Sequence, residues 1–164
     1  VARIRSAVFD TGPIIHLGQV ECLKALETIQ RVLVPEEVVR ELHRNPELPP
    51  NCSVKALSGK SKDLAKIIGD RYGVGPGESA AISLARQEGL KLLFTDDLEA
   101  REVAKEVGLE PHGTLALVTR AYREGILNRS QAFDCIESLH ARSSLYLTSD
   151  LVAWAKARIT PRRP

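Results

Sequence analysis

The chain has 164 residues, 43% hydrophobic and 27% charged, a composition that fits one ordinary globular domain and excludes a disordered or low-complexity class. Lys plus Arg number 23 against 21 Asp plus Glu, a net charge of +2, so bulk charge excludes a polybasic nucleic-acid coat. Nucleic-acid binding would have to come from a local patch; the arginine-rich balance suits phosphate contacts but also follows from a GC-rich genome.

Ser6 to Phe9 is a short apolar run that ends on Asp10-Thr11-Gly12-Pro13, a turn cluster, and reads as a buried strand stopping at an acid. Pro13 to Val20 and Glu21 to Ile29 read as one broken helix or two short ones, with Pro13 at a first helical position. Val32 to Val34 is a second buried strand, and Pro35 opens a helix running to about His43. Asn45 to Ser61 holds three prolines and little periodicity, the pattern of a loop or weak helix. Asp63 to Tyr72 reads as a helix. Gly73 to Gly77 reads as a connector, with the wrong spacing for a phosphate-cradling loop. Glu78 to Glu88 is Ala-rich and helical, closed by Gly89. Lys91 to Thr95 is a third strand ending on Asp96-Asp97, followed by a helix over Leu98 to Val107 that Gly108 closes. Leu109 to Pro111 suits a short edge strand. Helices are expected over 114–123, 130–141 and 149–159, with Ser130 and Ser149 as N-caps. Short strands alternating with amphipathic helices predict an α/β domain around a small parallel sheet. No repeat or boundary interrupts residues 1–164, which read as one domain with a frayed tail at 161–164.

Cys22, Cys52 and Cys135 stand apart in the chain and make no CxxC or Cys/His ligand spacing, so a disulfide framework and a zinc site are both unsupported. They read as buried or half-buried thiols in a reducing cytoplasm. No apolar run reaches the ~18 residues of a membrane span, and no secretion signal is visible, so a cytoplasmic protein without membrane contact is expected. The chain contains no Met, so Val1 reads as a GTG start, a prokaryotic habit, or as a trimmed end.

Open parallel sheets carry ligand sites outside the carboxyl ends of their strands. Two strands here end on acids, Asp10 and the pair Asp96-Asp97. Either acid alone is ordinary turn chemistry; adjacent parallel strands would bring the two to one edge. Glu78 suits the first turn of its helix through the helix dipole, and Ile82 and Ala85 share its face, which would point Glu78 over the end of the sheet. Glu41 flanks the apolar stripe of Val38, Val39 and Leu42, although Glu36 is placed almost as well. Converging carboxylates without counter-charge raise one another's pKa, and a divalent metal relieves the conflict. Oxygen-only donors favour Mg²⁺ or Mn²⁺ over zinc. Such a site can activate water for phosphodiester hydrolysis, with Thr11 and Thr95 adding hydroxyl contacts. The histidines make no paired metal-ligand spacing.

Several segments, in order and spacing, resemble a PIN-domain protein of the prokaryotic branch related to toxin–antitoxin ribonucleases (VapC-type). They are Val8-Phe9-Asp10-Thr11-Gly12-Pro13, Val34-Pro35 through Glu41-Leu42, Gly77-Glu78-Ser79-Ala80-Ala81, and Leu93-Phe94-Thr95-Asp96-Asp97 with Ala100-Arg101. Gly113-Thr114-Leu115 and Arg123-Glu124-Gly125-Ile126 also fit that branch. The resemblance implies a three-layer α/β/α fold and a Mg²⁺- or Mn²⁺-dependent ribonuclease acting on RNA. It implies catalytic and metal roles for Asp10, Glu41, Glu78 and Asp97, with Asp96 as a neighbouring group or an alternative ligand. Thr11 and Thr95 match supporting positions. Arg101, one turn after Asp97, would hold a phosphate or serve as a surface salt-bridge arginine. His16 departs from the pattern and reads as a structural histidine or an RNA contact. Glu78, longer than the usual aspartate, leaves the number of metals open. A homodimer and an antitoxin protein are the implied partners. Two other readings stay open: a non-catalytic or silenced interaction module that kept the acids, and a phosphotransfer enzyme with Asp10 as nucleophile. The second lacks an acid at position 12, which is Gly.

Overall fold

The computed structural model describes residues 2–42 and 48–160. Five strands build the sheet: β1 (Ile4–Phe9), β2 (Ile29–Pro35), β3 (Cys52–Lys55), β4 (Leu92–Phe94) and β5 (Glu110–His112). Their order is β3-β2-β1-β4-β5 and every pairing is parallel. Val8 stands opposite Leu33 on one side and Leu93 on the other.

Both faces of the sheet are buried, as an all-parallel sheet requires. Side chains alternate along β1, so Ala7 and Phe9 enter one core while Val8 enters the other. Val32 and Val34 follow the first set and Leu33 the second. Phe9 stacks on Phe94 with ring centroids 4.6 Å apart. The first core is closed by α1 (Thr11–Gln19), a 3₁₀ helix (Leu23–Thr28), α6 (Thr114–Arg123), α7 (Arg129–Arg142) and α8 (Ser149–Arg158). The second is closed by α3 (Gly59–Tyr72), α4 (Pro76–Gln87) and α5 (Leu98–Glu106). The small residues Ala80, Ala81 and Ala85 let α4 lie close against the strands. A short α2 (Glu36–Glu41) follows β2. The architecture is therefore the expected three-layer α/β/α arrangement.

Several local expectations change. The first helix begins at Thr11, not Pro13, because the Asp10 side chain accepts the Thr11 amide and caps it. The stretch expected as a second helix is a 3₁₀ helix that gives way to β2 at Ile29. The region read as loop contains β3, whose residues pair with Val32 to Pro35. It forms on the sheet edge with none of its residues fully buried, and no period in its own four residues announces it. Residues 43–47, within the expected helix end and loop, and 161–164, the expected frayed tail, lie outside the described residues. Ser58 caps α3, which starts four residues earlier than periodicity suggests. Asn128 and Thr148, not Ser130 and Ser149, cap the last two helices; Asn128 forms a reciprocal capping box with Gln131. The three cysteines are free, with Cys22 and Cys135 buried and Cys52 half-buried. Among the described residues no helix is long and apolar enough to cross a membrane.

Candidate active site

The strand order reverses at β1, which has β2 on one side and β4 on the other, and the carboxyl ends of β1 and β4 are therefore the position at which open α/β sheets bind their ligands. Asp10 stands at that point. Its amide donates to the Phe94 carbonyl at 2.9 Å, which extends the β1–β4 pairing by one residue. Its Oδ1 accepts from the Thr11 amide at 2.7 Å and its Oδ2 from the Thr95 hydroxyl at 2.9 Å. Only 3% of the residue is exposed. Burial, then the charges of Glu78 and Glu41, push the Asp10 carboxyl from its ordinary 3.8 up to about 7. The Thr11 and Thr95 hydrogen bonds act in the opposite direction and do not prevail.

Glu41 is the last residue of α2. Its Oε2 accepts from the Thr11 hydroxyl at 2.5 Å and its Oε1 from the Gly77 amide at 3.0 Å. Gly77 lies in the first turn of α4, where amides lack intrahelical partners, and the N-cap Gly75 has no side chain to supply one. Glu41 satisfies that turn from another element, with the helix dipole in its favour. A Cβ on Gly77 would stand 2.5 Å from Glu41 Oε2, so only glycine leaves room for the carboxylate there. Gly75 likewise leaves room for the Glu78 carboxylate. Glu36, the rival by spacing, pairs instead with Arg40 at 3.6 Å on the outer face of α2.

Glu78, half-buried in the first turn of α4, has its pKa raised by burial and then by the charges of Glu41 and Asp97. Asp97 is exposed and caps α5 through the Ala100 amide at 2.7 Å. Its own amide donates to Thr95 Oγ1 at 3.3 Å. Thr95, fully buried, thus links Asp10 and Asp97. The structure brings Asp10, Glu41, Glu78 and Asp97 into one electrostatic neighbourhood, with Thr11 and Thr95 between them.

Asp96 turns elsewhere. Its Oδ1 accepts from the Thr114 amide at 2.7 Å, and its Oδ2 accepts from the Thr114 hydroxyl at 2.6 Å and meets His16 Nδ1 at 2.7 Å. These contacts tie β4 to the start of α6 and to α1. His16 is held in that network. Arg101 lies across Gly113, where a Cβ would stand 3.1 Å from its Nη2 and 3.0 Å from Asp96 Oδ1.

The donor set suits a hard divalent cation: it is oxygen-only, and burial, with the like charges adding to it, raises two of its pKa values. Among the described residues, no three His, Cys, Asp or Glu side chains already form a cation-binding group. The acids lie within reach of one another's charge without making a finished coordination shell. Gly75, Gly77 and Thr114 were not singled out by pattern as positioning residues. The Gly-Pro-Gly lead-in directly before Glu78 was the available signal for the first two.

An acidic cluster at the switch point of a parallel α/β sheet defines the class of protein. A PIN-domain family model, DUF3368, matches residues 6–160, so the chain belongs to the PIN-domain family, whose members are in general nucleases. Comparison with curated proteins gives no match.

Proposed function

We propose that this chain is a Mg²⁺- or Mn²⁺-dependent ribonuclease that hydrolyses RNA phosphodiester bonds. The carrying observation is the gathering of the buried Asp10 with Glu41, Glu78 and Asp97 at the carboxyl ends of β1 and β4, held by Thr11, Thr95 and the Gly77 amide, where burial and like charges raise the Asp10 pKa to about 7. A divalent cation would be held by Asp10 and Asp97, with Glu41 and Glu78 completing the site or orienting water. When bound it activates water and neutralises charge on the phosphate. Thr95 holds the Asp10 carboxylate in place, and the Thr11 hydroxyl does the same for Glu41. The Gly77 amide fixes the second Glu41 oxygen, so the site is oriented before substrate arrives. Similarity to the toxin–antitoxin branch supports a toxin role, with an antitoxin protein and a second copy of the chain as partners.

One observation favours the other reading, a non-catalytic interaction module. Glu41 and Asp97 already serve as helix caps, which gives both a structural reason to be present. The same experiment separates the two. Purified protein is incubated with RNA and Mn²⁺ or Mg²⁺, beside Asp10→Asn. Metal-dependent cleavage by the wild type, lost in the variant, supports the nuclease. Absent cleavage, or cleavage equal in both, rejects it.

A further inference from the structure

Beside the acids lies an open groove of about 410 Å³, within the ~300–1,000 Å³ of small-molecule clefts. Asp96 and Arg101, which flank Asp97 in the chain, line it, and so do Gly113, Tyr146 and Trp154. Aromatic residues make up only 4% of the chain, yet these two are exposed, Tyr146 at 87% and Trp154 at 38%. Exposed rings of this size in so aromatic-poor a protein ask for a function. The Arg158 guanidinium lies 3.8 Å from the centroid of the Trp154 ring and donates to the Trp154 carbonyl, which holds the indole and sets a positive charge beside it. Among the described residues the Arg101 guanidinium has no hydrogen bond or ion pair, so its donors are open to an anion. The Asp96 carboxylate in the same lining is occupied by Thr114 and His16.

We propose that this groove is a nucleotide subsite for single-stranded RNA, in which Tyr146 and Trp154 stack on unpaired bases and Arg101 contacts the phosphate leading towards Asp97. The inference rests on the nuclease reading and names the form of its substrate. Alternating rings and cations are the arrangement that single strands need, since bases offer flat faces and each linkage offers one negative charge. A base within a duplex is stacked on its neighbours and cannot reach the rings. A second copy of this chain would find the apolar side chains Leu98 and Leu151 beside the rings. It would also have to bury the open guanidinium of Arg101, which favours the anionic occupant.

The test uses the full-length chain carrying Asp10→Asn, in chelator, so that binding is read without hydrolysis. Trp154 is the chain's single tryptophan, and its emission reports the groove directly. A short single-stranded RNA of mixed sequence should quench that emission saturably. Tyr146→Ala in the same background should raise Kd about 5- to 150-fold, the loss of one base–aromatic stack, and Tyr146→Phe should restore it. Arg101→Gln should lower the slope of log affinity against log salt by about 0.7. A duplex of the same sequence should not compete. Unquenched emission, or equal affinity in Tyr146→Ala, overturns the subsite. So does self-association by sedimentation that Leu151→Asp abolishes, which would make the groove a subunit interface. The two readings fail separately. Wild-type protein that binds single strands but never cleaves leaves the subsite standing and rejects the nuclease. Wild-type protein that cleaves with KM unchanged by Tyr146→Ala rejects the subsite and leaves the nuclease.

Discussion

Replacing Asp10 with asparagine should stabilise the metal-free protein while abolishing its chemistry. The folded state raises the Asp10 pKa from 3.8 to about 7, so folding favours the protonated acid. Between those values the native state binds more protons than the unfolded chain, and stability falls as pH rises. Below pH 3.8 both states are protonated and the penalty is absent. Above about pH 7 both are ionised and the penalty is complete, about 4 kcal/mol at ~1.36 kcal/mol per tenfold change. Asparagine carries no charge to desolvate, and it caps a helix as well as aspartate does. Its carbonyl can accept the Thr11 amide, and its amide can donate to Thr95 once that hydroxyl rotates. Relaxation around the ionised acid will return part of the penalty, leaving a gain of about 2–4 kcal/mol at pH 8. For a domain of this size that is a rise in Tm of roughly 5–15 °C. The assay is thermal or urea unfolding of both proteins in chelator, from pH 4 to pH 8. The gain should shrink towards zero at the acid end. An Asp10→Asn protein less stable than wild type at pH 8, or a difference that ignores pH, would refute the electrostatic account of this site.

Divalent cation should act in the same direction as that substitution. Saturating Mn²⁺, at ~100 times Kd, should stabilise the wild type by about 2.7 kcal/mol, more at pH 8 than at pH 5, because protons compete for Asp10. The effect should nearly vanish in Asp10→Asn; calorimetric scans with and without the ion decide it. Gly77→Ala should leave unfolding stability within about 1 kcal/mol of the wild type, helix propensity offsetting the lost Glu41 hydrogen bond, yet cut cleavage sharply by pushing the Glu41 carboxylate away. Parallel unfolding and activity measurements check that split; equal losses in both would contradict it. Asp96→Ala should cost about 2–4 kcal/mol in urea unfolding, since it orphans the Thr114 amide, its hydroxyl and His16 together. Asp97→Ala should cost only about 1 kcal/mol, one helix cap, and should remove activity.

Much of this molecule was legible one segment at a time. Apolar runs closed by turn residues announced β1, β2 and β4, and prolines and glycines bounded the helices, because backbone preference and side-chain period are local properties. That two strands end on acids, Asp10 and the pair Asp96-Asp97, followed from the same reading; that those strands are neighbours was decided by the β1–β4 pairing. The direction in which each acid points was not local. Asp96 and Asp97 are neighbours in sequence, and only the placement of Thr114 and of the α5 start turns one into a brace and the other towards Glu78. Glu36 and Glu41 were nearly equal by spacing, and Gly77, 36 residues beyond Glu41, distinguishes them. Four residues of β3 carry too short a period to read, and they become a strand because β2 offers an unpaired edge. A hydrogen bond or a charge reaches only a few ångströms, so the environment of a carboxylate is set by what packing brings beside it and not by its place in the chain.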